Sequence, residues 1–347
     1  MINNATFADQ LLAWFDHHGR NHLPWQKNRN GYRVWVSEIM LQQTQVTTVI
    51  PYFERFVGRF PTAKDLAHAP IDEVLSLWTG LGYYSRARNL HHSAITIAEQ
   101  HKGQVPKDLE SLMALKGIGR STAGAIISQA YNQQGIILDG NVKRLLTRLY
   151  AIEGWPGQSQ IDKQLWGIAT DLTPNQRNAD YTQAIMDIGA TVCRPKQPLC
   201  VACPMQNHCQ ALAQDKVATI PTPKPKKDIP HKNISVLLLK NKHGQTCLEQ
   251  RPSKGIWGGL WSLPEFANLK ALQTQLALDG LPTQTRPLAP IKHAFSHYKL
   301  TIEPHLLVLD KMPQKISENS KSQWYDNQQI HTIGLATPIK KLLEKTP

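Results

Sequence analysis

The chain divides into two parts that differ in the spacing of their hydrophobic positions. In the first part, apolar residues such as Phe7, Leu11 and Phe15 recur at helical spacing. We predict further helices at about 34–42, 46–57, 71–78, 84–101, 109–115, 121–131, 141–150, 162–171 and 179–192. Turn residues such as Gly117-Ile118-Gly119 separate these segments. Residues 1–215 are therefore predicted to form an all-α domain.

From residue 233 onward the pattern favours β-strands. Strands are predicted at about 234–240, 246–251 and 300–309, with helices at 268–279 and 337–345. Residues 233–347 are therefore predicted to form an α+β domain. The intervening residues 216–232 contain four prolines and five lysines, which cannot build a core and predict an extended linker.

Charge narrows the class of partner. The 347 residues include 39 Lys+Arg and 26 Asp+Glu, a net charge of +13, which favours a polyanion such as nucleic acid. Residues 1–215 contain 20 basic and 17 acidic residues, whereas residues 216–347 contain 19 and 9, so the excess lies mainly in the second part. Without a long apolar run or a signal-peptide pattern, we expect no membrane partner and a cytoplasmic location.

Four cysteines fall within seventeen positions, in the spacing C-x6-C-x2-C-x5-C, at Cys193, Cys200, Cys203 and Cys209. In a reducing compartment such crowding favours a metal site over disulfides or four ordinary buried thiols. Zinc and an iron–sulfur cluster both accept four thiolates, so the spacing leaves both open. The fifth cysteine, Cys247, lies alone in a predicted strand and is expected to be a core residue.

Residues 108–131 are predicted to form two helices joined by a tight hairpin at Gly117-Ile118-Gly119. Glycines allow a sharp turn and leave N–H groups at the start of the second helix, where a DNA phosphate can bind. Lys116 and Arg120 flank the hairpin and favour DNA over an ordinary helical turn. The hairpin predicts contact with the DNA backbone, without base recognition.

Two carboxylates stand out further along this part of the chain. Asp139 follows an apolar run just before a helix, where an N-cap is the ordinary interpretation. Glu38 lies on a strongly apolar helix, which would desolvate its side chain and raise its pKa. Most such glutamates lie at the surface or in ion pairs, so neither carboxylate alone predicts catalysis.

Together, LKGIGRSTAGAI, ILDGNVKRL and the cysteine loop resemble the helix–hairpin–helix DNA glycosylases of the endonuclease III superfamily. The resemblance covers the first 215 residues. It implies that Cys193, Cys200, Cys203 and Cys209 hold one [4Fe–4S] cluster in the loop 193–209, with no catalytic metal. It also implies that double-stranded DNA contacts Lys116, Gly117, Gly119 and Arg120.

The segments WVSEIMLQQTQV and GLGYYSRARNL are similar to the MutY family of adenine DNA glycosylases. That resemblance implies excision of adenine opposite 8-oxoguanine or guanine, with Glu38 as acid, Asp139 stabilising the sugar cation and Asn141 in support. Ser121 stands where lyase members have a lysine, so a monofunctional enzyme is expected, and Ser121 would act in support. The protein is expected to be a bacterial-type, nucleoid-associated monomer, whose repair or replication partners the sequence does not identify.

The resemblance also implies roles in holding the flipped base and the lesion. Gln43 and Tyr83 would fill the gap in the duplex, and Thr44 and Leu81 would lie near 8-oxoguanine. The residues expected around the extruded adenine are Trp25, Gln183 and Arg20.

The second domain resembles a Nudix fold through WGGLWSLPE, in which Gly259 and Glu265 match the first part of the metal-binding motif. The later acids of that motif are missing, which disfavours a pyrophosphatase. Phe295, Ser296 and His297 match the family loop that recognises 8-oxoguanine. The remaining alternatives are a bifunctional glycosylase/AP lyase and a non-catalytic damage sensor.

Overall fold

The computed structural model describes residues 4–225, 228–295, 297–309 and 322–346. The chain forms two compact units, Met1–His68 with Asn89–Lys226, and Ala69–Arg88 with Lys227–Pro347. The second unit therefore includes a segment taken from the helical half of the sequence. None of the described helices is long and apolar enough to cross a membrane.

The helical half confirms the predicted elements to within a few residues at most ends. The helices are α1 (Asn4–His18), α2 (Gly31–Leu41), α3 (Val46–Arg59), α4 (Ala63–His68), α5 (Ile71–Trp78), α6 (Ser85–Gln100), α7 (Leu109–Ala114), α8 (Arg120–Tyr131), α9 (Gly140–Leu149), α10 (Ser159–Leu172), α11 (Asn178–Thr191) and α12 (Gln210–Ala213). The short α4 and α12 were not predicted.

Helix α8 lies at the centre of the first unit and packs against α2, α7 and α11. Two glycines, one on α8 and one in the segment after it, let that segment cross the helix at close range. A Cβ atom on Gly124 would lie 2.1 Å from the carbonyl oxygen of Ile136, and one on Gly135 would lie 2.1 Å from the carbonyl oxygen of Gly124. This crossing brings the segment that ends at Asp139 directly against α8.

The second unit contains a mixed sheet, which agrees with the predicted α+β class. Its described strands are β1 (His231–Asn241), β2 (Thr246–Gln250), β3 (Trp261–Ser262), β4 (Glu265–Phe266), β5 (Arg286–Pro287), β6 (Ile291–Ala294), β7 (Lys299–Leu309) and β8 (Ser322–Tyr325). The central strands β1 and β7 are parallel along their whole length, and the other pairings are antiparallel. Helices α13 (Leu269–Leu278) and α14 (Thr337–Lys345) also belong to this unit.

Hydrogen bonds and packing explain why residues 69–88 belong to this second unit. The Tyr84 hydroxyl donates to the carbonyl oxygen of Leu335 at 3.1 Å, and the Arg88 guanidinium donates to the carbonyl oxygen of Gly258. A Cβ atom on Gly334 would lie 2.7 Å from the Cβ atom of Leu75, so this glycine allows α5 to approach closely. The segment is thus part of the folded second unit.

Candidate active site

A deep cavity in the first unit brings together many of the predicted site residues. It has a volume of about 770 Å³, and its walls come from α2, α8, α11 and the loops beside them. The predicted residues that line it are Arg20, Trp25, Glu38, Gln43, Thr44, Ser121, Asp139, Asn141 and Gln183. The candidate catalytic residues and the candidate adenine pocket therefore share one space.

Glu38 reaches this cavity from α2, whose residues Trp35 and Ile39 are buried. Its Oε1 atom accepts a hydrogen bond from Nε2 of Gln129 at 2.9 Å. Burial raises the pKa of Glu38 to about 7; the bond from Gln129 opposes this rise, and nearby Asp139 adds to it. A large fraction of Glu38 is therefore protonated near neutral pH, as a proton donor requires.

Asp139 is the N-cap of α9, as its position before a helix indicated. Its Oδ1 atom accepts hydrogen bonds from the backbone N–H groups of Asn141 at 3.0 Å and Val142 at 2.8 Å, and its Oδ2 atom accepts from Nδ2 of Asn141 at 3.2 Å. Burial raises the pKa of Asp139, whereas these donors stabilise its charged form and oppose that shift. The cap fixes the carboxyl group in the cavity wall, so capping and a role in chemistry are compatible.

Two further contacts hold the segment around Asp139 in place. The Ser121 hydroxyl accepts a hydrogen bond from the backbone N–H of Leu138 at 2.9 Å, which fixes the residue immediately before Asp139. A Cβ atom on Gly189 would lie 2.7 Å from the Cβ atom of Asn141, so α11 approaches this corner closely. The supporting residues therefore act on backbone position.

Arg144 connects this corner to the cysteine loop. Its Nη2 atom donates to Oδ1 of Asn141 at 2.8 Å and to the carbonyl oxygen of Gly189 at 2.7 Å, and its Nε atom donates to the carbonyl oxygen of Cys193 at 2.8 Å. A planar guanidinium presents its donors in fixed directions. It therefore holds α9, α11 and the cysteine loop at set positions around Asp139.

The predicted adenine-pocket residues share a hydrogen-bond network centred on Asp187, which is 1% exposed. Arg20 donates to this carboxylate through its backbone N–H and its guanidinium, at 2.6–2.9 Å, and Nε2 of Gln183 donates to it at 2.7 Å. Nε2 of Gln26 donates to Oε1 of Gln183 at 3.2 Å. These bonds fix two polar side chains in the wall of the cavity, and buried Trp25 contributes an apolar part of it.

The predicted hairpin is present between α7 and α8. Gly117 has φ +85°, and a Cβ atom there would lie 3.1 Å from that of Asn89, so a side chain is disfavoured on both counts. Gly119 is the N-cap of α8 and supplies no side-chain cap. The N–H groups of the first turn can therefore bind an anion.

Cationic side chains flank this hairpin, although both contact other protein groups. The Lys116 Nζ atom lies 2.9 Å from Nε2 of His92. The Arg120 guanidinium lies over the ring of Trp166 on α10, 4.0 Å from its centroid. Trp166 therefore orients Arg120 by a cation–π contact.

Tyr83 and Leu81 lie in the second unit and do not line the cavity described above. Tyr83 has φ +50° and is 48% exposed, with the Arg86 guanidinium 5.4 Å from its ring centroid. Leu81 is buried. Tyr83 is thus presented to solvent, whereas Leu81 packs inside the protein.

The predicted lesion-recognition loop is built on aromatic contacts. Phe295 stacks on Tyr298 at a centroid distance of 4.7 Å and lies 5.3 Å from the ring of Trp257. His297 is exposed, with its ring 5.0 Å from that of Tyr298. Ser296, the third predicted residue of the loop, lies outside the described residues.

The residues that match the Nudix motif are used differently from a metal site. Gly259 has φ +74° in the turn before β3. Glu265 accepts a hydrogen bond from Nη1 of Arg251 at 2.5 Å, which neutralises the carboxylate. Glu265 therefore has a cationic partner from the end of β2.

The four clustered cysteines line one cavity together with apolar residues such as Leu145 and Met205. No histidine or acidic side chain is among its lining residues, so the four thiols are its candidate ligands. The Arg148 guanidinium lies 3.4 Å from Sγ of Cys193 and donates to the carbonyl oxygen of Arg194 at 2.7 Å. Across the described residues, no preformed group of three or more metal-ligating side chains is present. The donor chemistry fits a thiolate-bound cluster.

Four residues that hold the cavity wall in place were not singled out from the sequence, and of these only Arg144 lines the cavity itself. Gln129, Arg144, Asp187 and Gln26 each act through a partner that is distant in the chain. Two of them carried a signal in the sequence: Gln129 lies in an apolar segment, and Arg144 follows Asp139 by five residues.

Known protein families and solved structures are similar to this chain in sequence and fold. The chain matches the family described as HhH-GPD superfamily base excision DNA repair protein over residues 36–170, and the NUDIX domain family over residues 235–345. The first unit is similar in fold to a thermostable thymine-DNA glycosylase, with TM-score 0.54 and 24% identity over 61% of this chain and 97% of that one. It is also similar to endonuclease III in a non-covalent DNA complex, with TM-score 0.52 and 21% identity over 62% of this chain and 99% of that one.

The hairpin, the paired carboxyl groups and the matching fold define a helix–hairpin–helix DNA glycosylase with a C-terminal Nudix-like domain. The adenine DNA glycosylase of Buchnera aphidicola (subsp. Acyrthosiphon pisum) is 39% identical over 97% of both chains. The human adenine DNA glycosylase is 35% identical over 97% of this chain and 73% of its own. The chain therefore belongs to the adenine DNA glycosylase family, and it is a DNA-binding hydrolase that cleaves the N-glycosidic bond of adenine in base excision repair.

Proposed function

We propose that the protein removes adenine paired with 8-oxoguanine or guanine, as a monofunctional glycosylase. The observation that carries the proposal is that Glu38 and Asp139 line one cavity. The pKa of Glu38 is raised to about 7, and Asp139 is fixed by three N–H donors. A glycosidic bond breaks through a cationic sugar and a leaving group that needs a proton. This pair of carboxyl groups can meet both needs.

In the proposed reaction, Glu38 donates its proton to N7 of adenine and so makes the base a better leaving group. The negative charge of Asp139 stabilises the oxocarbenium-like sugar as the bond from C1′ to N9 lengthens. Water then adds to C1′, with Glu38, now ionised, accepting its proton. Arg20 and Gln183, held by Asp187, contact the flipped adenine and position it.

The absence of a suitable nucleophile supports monofunctional chemistry. A lyase needs an amine that forms a Schiff base with C1′. No lysine lines the described cavity, and Ser121 is engaged with the backbone N–H of Leu138. Borohydride should therefore trap little covalent complex, and strong lysine-dependent trapping would favour the bifunctional alternative.

We propose that the second unit recognises the base opposite adenine. Exposed Tyr83 would enter the gap in the duplex, and Gln43 would contact the same gap. The loop of Phe295, Ser296 and His297 would contact 8-oxoguanine.

An aromatic ring beside a lysine side chain supports DNA contact near this loop. Aromatic rings next to lysine side chains are typical of nucleic-acid surfaces, and Lys232 lies over the ring of Tyr298 at 5.2 Å. By resemblance, Thr44 and Leu81 would lie near the lesion.

Ser296→Ala should reduce the preference for 8-oxoguanine over guanine by about tenfold, since one hydrogen bond to the lesion would be lost. The measurement is the ratio of single-turnover excision rates on A:8-oxoG and A:G duplexes. Thr274→Ala on α13 should leave this ratio unchanged. An equal loss on both duplexes would make Ser296 structural.

We propose that the four clustered cysteines hold one [4Fe–4S] cluster. The four thiols that line one cavity and the Arg148 guanidinium beside Cys193 support this choice. Arg144 and Arg148 would stabilise the loop next to the anionic cluster. The cluster, when bound, would supply a rigid cross-link for the loop and an electron-transfer centre, while the excision chemistry rests on the protein side chains.

Cys203→Ser should abolish the broad visible absorbance of the purified protein and reduce its iron and sulfide content, because one thiolate ligand is lost. Cys247→Ser is the matched control, since Cys247 is buried in β2 and does not line the cavity of the other four. Zinc in the wild-type protein, or unchanged iron content in Cys203→Ser, would contradict the proposal.

The direct test of function is single-turnover excision from a duplex that contains one A:8-oxoG pair. We expect release of adenine without strand cleavage, slower release from A:G, and none from A:T. If no adenine is released at any protein concentration while the duplex is bound, the non-catalytic damage sensor would replace the present proposal.

A further inference from the structure

Gln129 is a buried amide in an otherwise small and apolar stretch of α8. It is 2% exposed, and the neighbouring residues Ile126 and Ile127 are buried as well. Burying an amide without a partner is unfavourable, so packing alone does not explain a glutamine here. The hydrogen bond from its Nε2 atom to Oε1 of Glu38, at 2.9 Å, does explain it.

This bond distinguishes the two oxygens of the Glu38 carboxyl group. Because Oε1 accepts an N–H, the proton that the acid transfers resides on Oε2. The bond also limits rotation of the carboxyl group within the cavity wall. A proton donor needs a defined direction as well as a suitable pKa, since misplacement by about 1 Å can slow a reaction about 100-fold.

The same bond acts on the titration of Glu38. An N–H donor favours the ionised carboxylate, whereas burial and the charge of Asp139 favour the protonated acid. Removing the donor would therefore raise the pKa of Glu38. The other charged groups that line the same cavity are Asp139, Arg20 and Arg144. The hydrogen bonds of Arg20 and Arg144 go to Asp187 and Asn141.

We propose that Gln129 is a positioning residue for excision, which orients the Glu38 carboxyl group and sets the pH range in which it acts as the acid. This inference rests on the proposed role of Glu38. It adds a residue of α8 to a site whose chemistry otherwise comes from α2 and the N-terminus of α9. Gln129 itself is buried and does not line the cavity, so it acts through Glu38.

The test compares wild type with Gln129→Met, which has a similar length and shape but no N–H donor. Single-turnover excision from an A:8-oxoG duplex is measured across a pH range that spans neutrality. We expect the low-pH rate to fall about 10-fold to 100-fold. We also expect the pH of half-maximal rate to move upward by roughly one pH unit, because the ionised acid has lost a hydrogen bond. The ratio of variant to wild-type rate should therefore rise with pH.

Ser128→Ala provides the matched control, since Ser128 is the adjacent buried residue and its hydroxyl donates to the carbonyl oxygen of Gly135. It should lower stability without moving the pH of half-maximal rate. Gln129→Glu is the second variant in case the methionine variant does not fold; its added negative charge should also move the midpoint upward. Circular dichroism and duplex binding check that each variant is folded.

A uniform loss of rate in Gln129→Met with an unchanged pH midpoint would make Gln129 structural and overturn the proposal. An unchanged rate and midpoint would overturn it as well. A failure of the proposed function is distinguishable, because Glu38→Gln would then retain activity, or wild type would show no decline in rate above neutrality.

Discussion

Glu38→Gln should lower the single-turnover rate of adenine excision by about 100-fold to 10,000-fold, the range typical of losing a general acid. The amide has nearly the same shape as the carboxylic acid and can still accept the bond from Gln129, so duplex binding should change little. It cannot transfer a proton to N7 of adenine. The loss should therefore appear in the excision rate and not in the dissociation constant for the mismatched duplex.

Glu54→Gln is the control for the change in charge, because Glu54 is exposed on α3. In wild type the rate should fall as pH rises through about 7, because Glu38 loses its proton. It should also fall at low pH, where protonation of Asp139 removes the charge that stabilises the sugar cation. A Glu38→Gln protein with a rate within a few-fold of wild type would remove Glu38 from the role of acid.

Asp139→Asn should lower the excision rate by about 100-fold to 1000-fold, the scale of losing one electrostatic stabiliser of a transition state. Asparagine is as good an N-cap as aspartate, so the bonds from the backbone N–H groups of Asn141 and Val142 remain available. The charge that stabilises the cationic sugar is lost. Thermal unfolding and single-turnover kinetics together separate the two roles.

Asp139→Ala removes both roles and should also lower the free energy of unfolding by about 1 kcal/mol. Asp108→Asn is the matched control, since Asp108 caps α7 through the backbone N–H of Ser111 at 2.8 Å, outside the described cavity. Its excision rate should equal that of wild type. A wild-type rate in Asp139→Asn would leave Asp139 as a cap alone.

Helices and the hairpin were predictable from the sequence because each depends on residues close together in the chain. Amphipathic spacing gave α2, α3, α8 and α11, and the two glycines gave the turn before α8. Helix α4 has six residues, and the missed strands β3, β4, β5, β6 and β8 have two to four. Segments this short carry too little periodicity for a pattern to show.

The candidate site was predictable where a residue matched a family motif, as Glu38 and Asp139 did. Its supporting contacts were not, because they join distant positions: Gln129 lies 91 residues from Glu38, and Asp187 lies 167 residues from Arg20. The apolar neighbours of Gln129 indicate burial, but the local spacing does not identify the partner of either residue. Only folding brings these pairs together.

The inclusion of residues 69–88 in the second unit bears on how the protein can be dissected. A fragment that begins at residue 233 would lack α5 and Tyr84, and would leave Gly334 and the carbonyl oxygen of Leu335 without the partners they have in the intact chain. One cut in the proline- and lysine-rich linker therefore does not yield two complete folding units. A C-terminal fragment that begins at residue 233 would lack part of its hydrophobic core. Experiments on lesion recognition therefore require the whole chain.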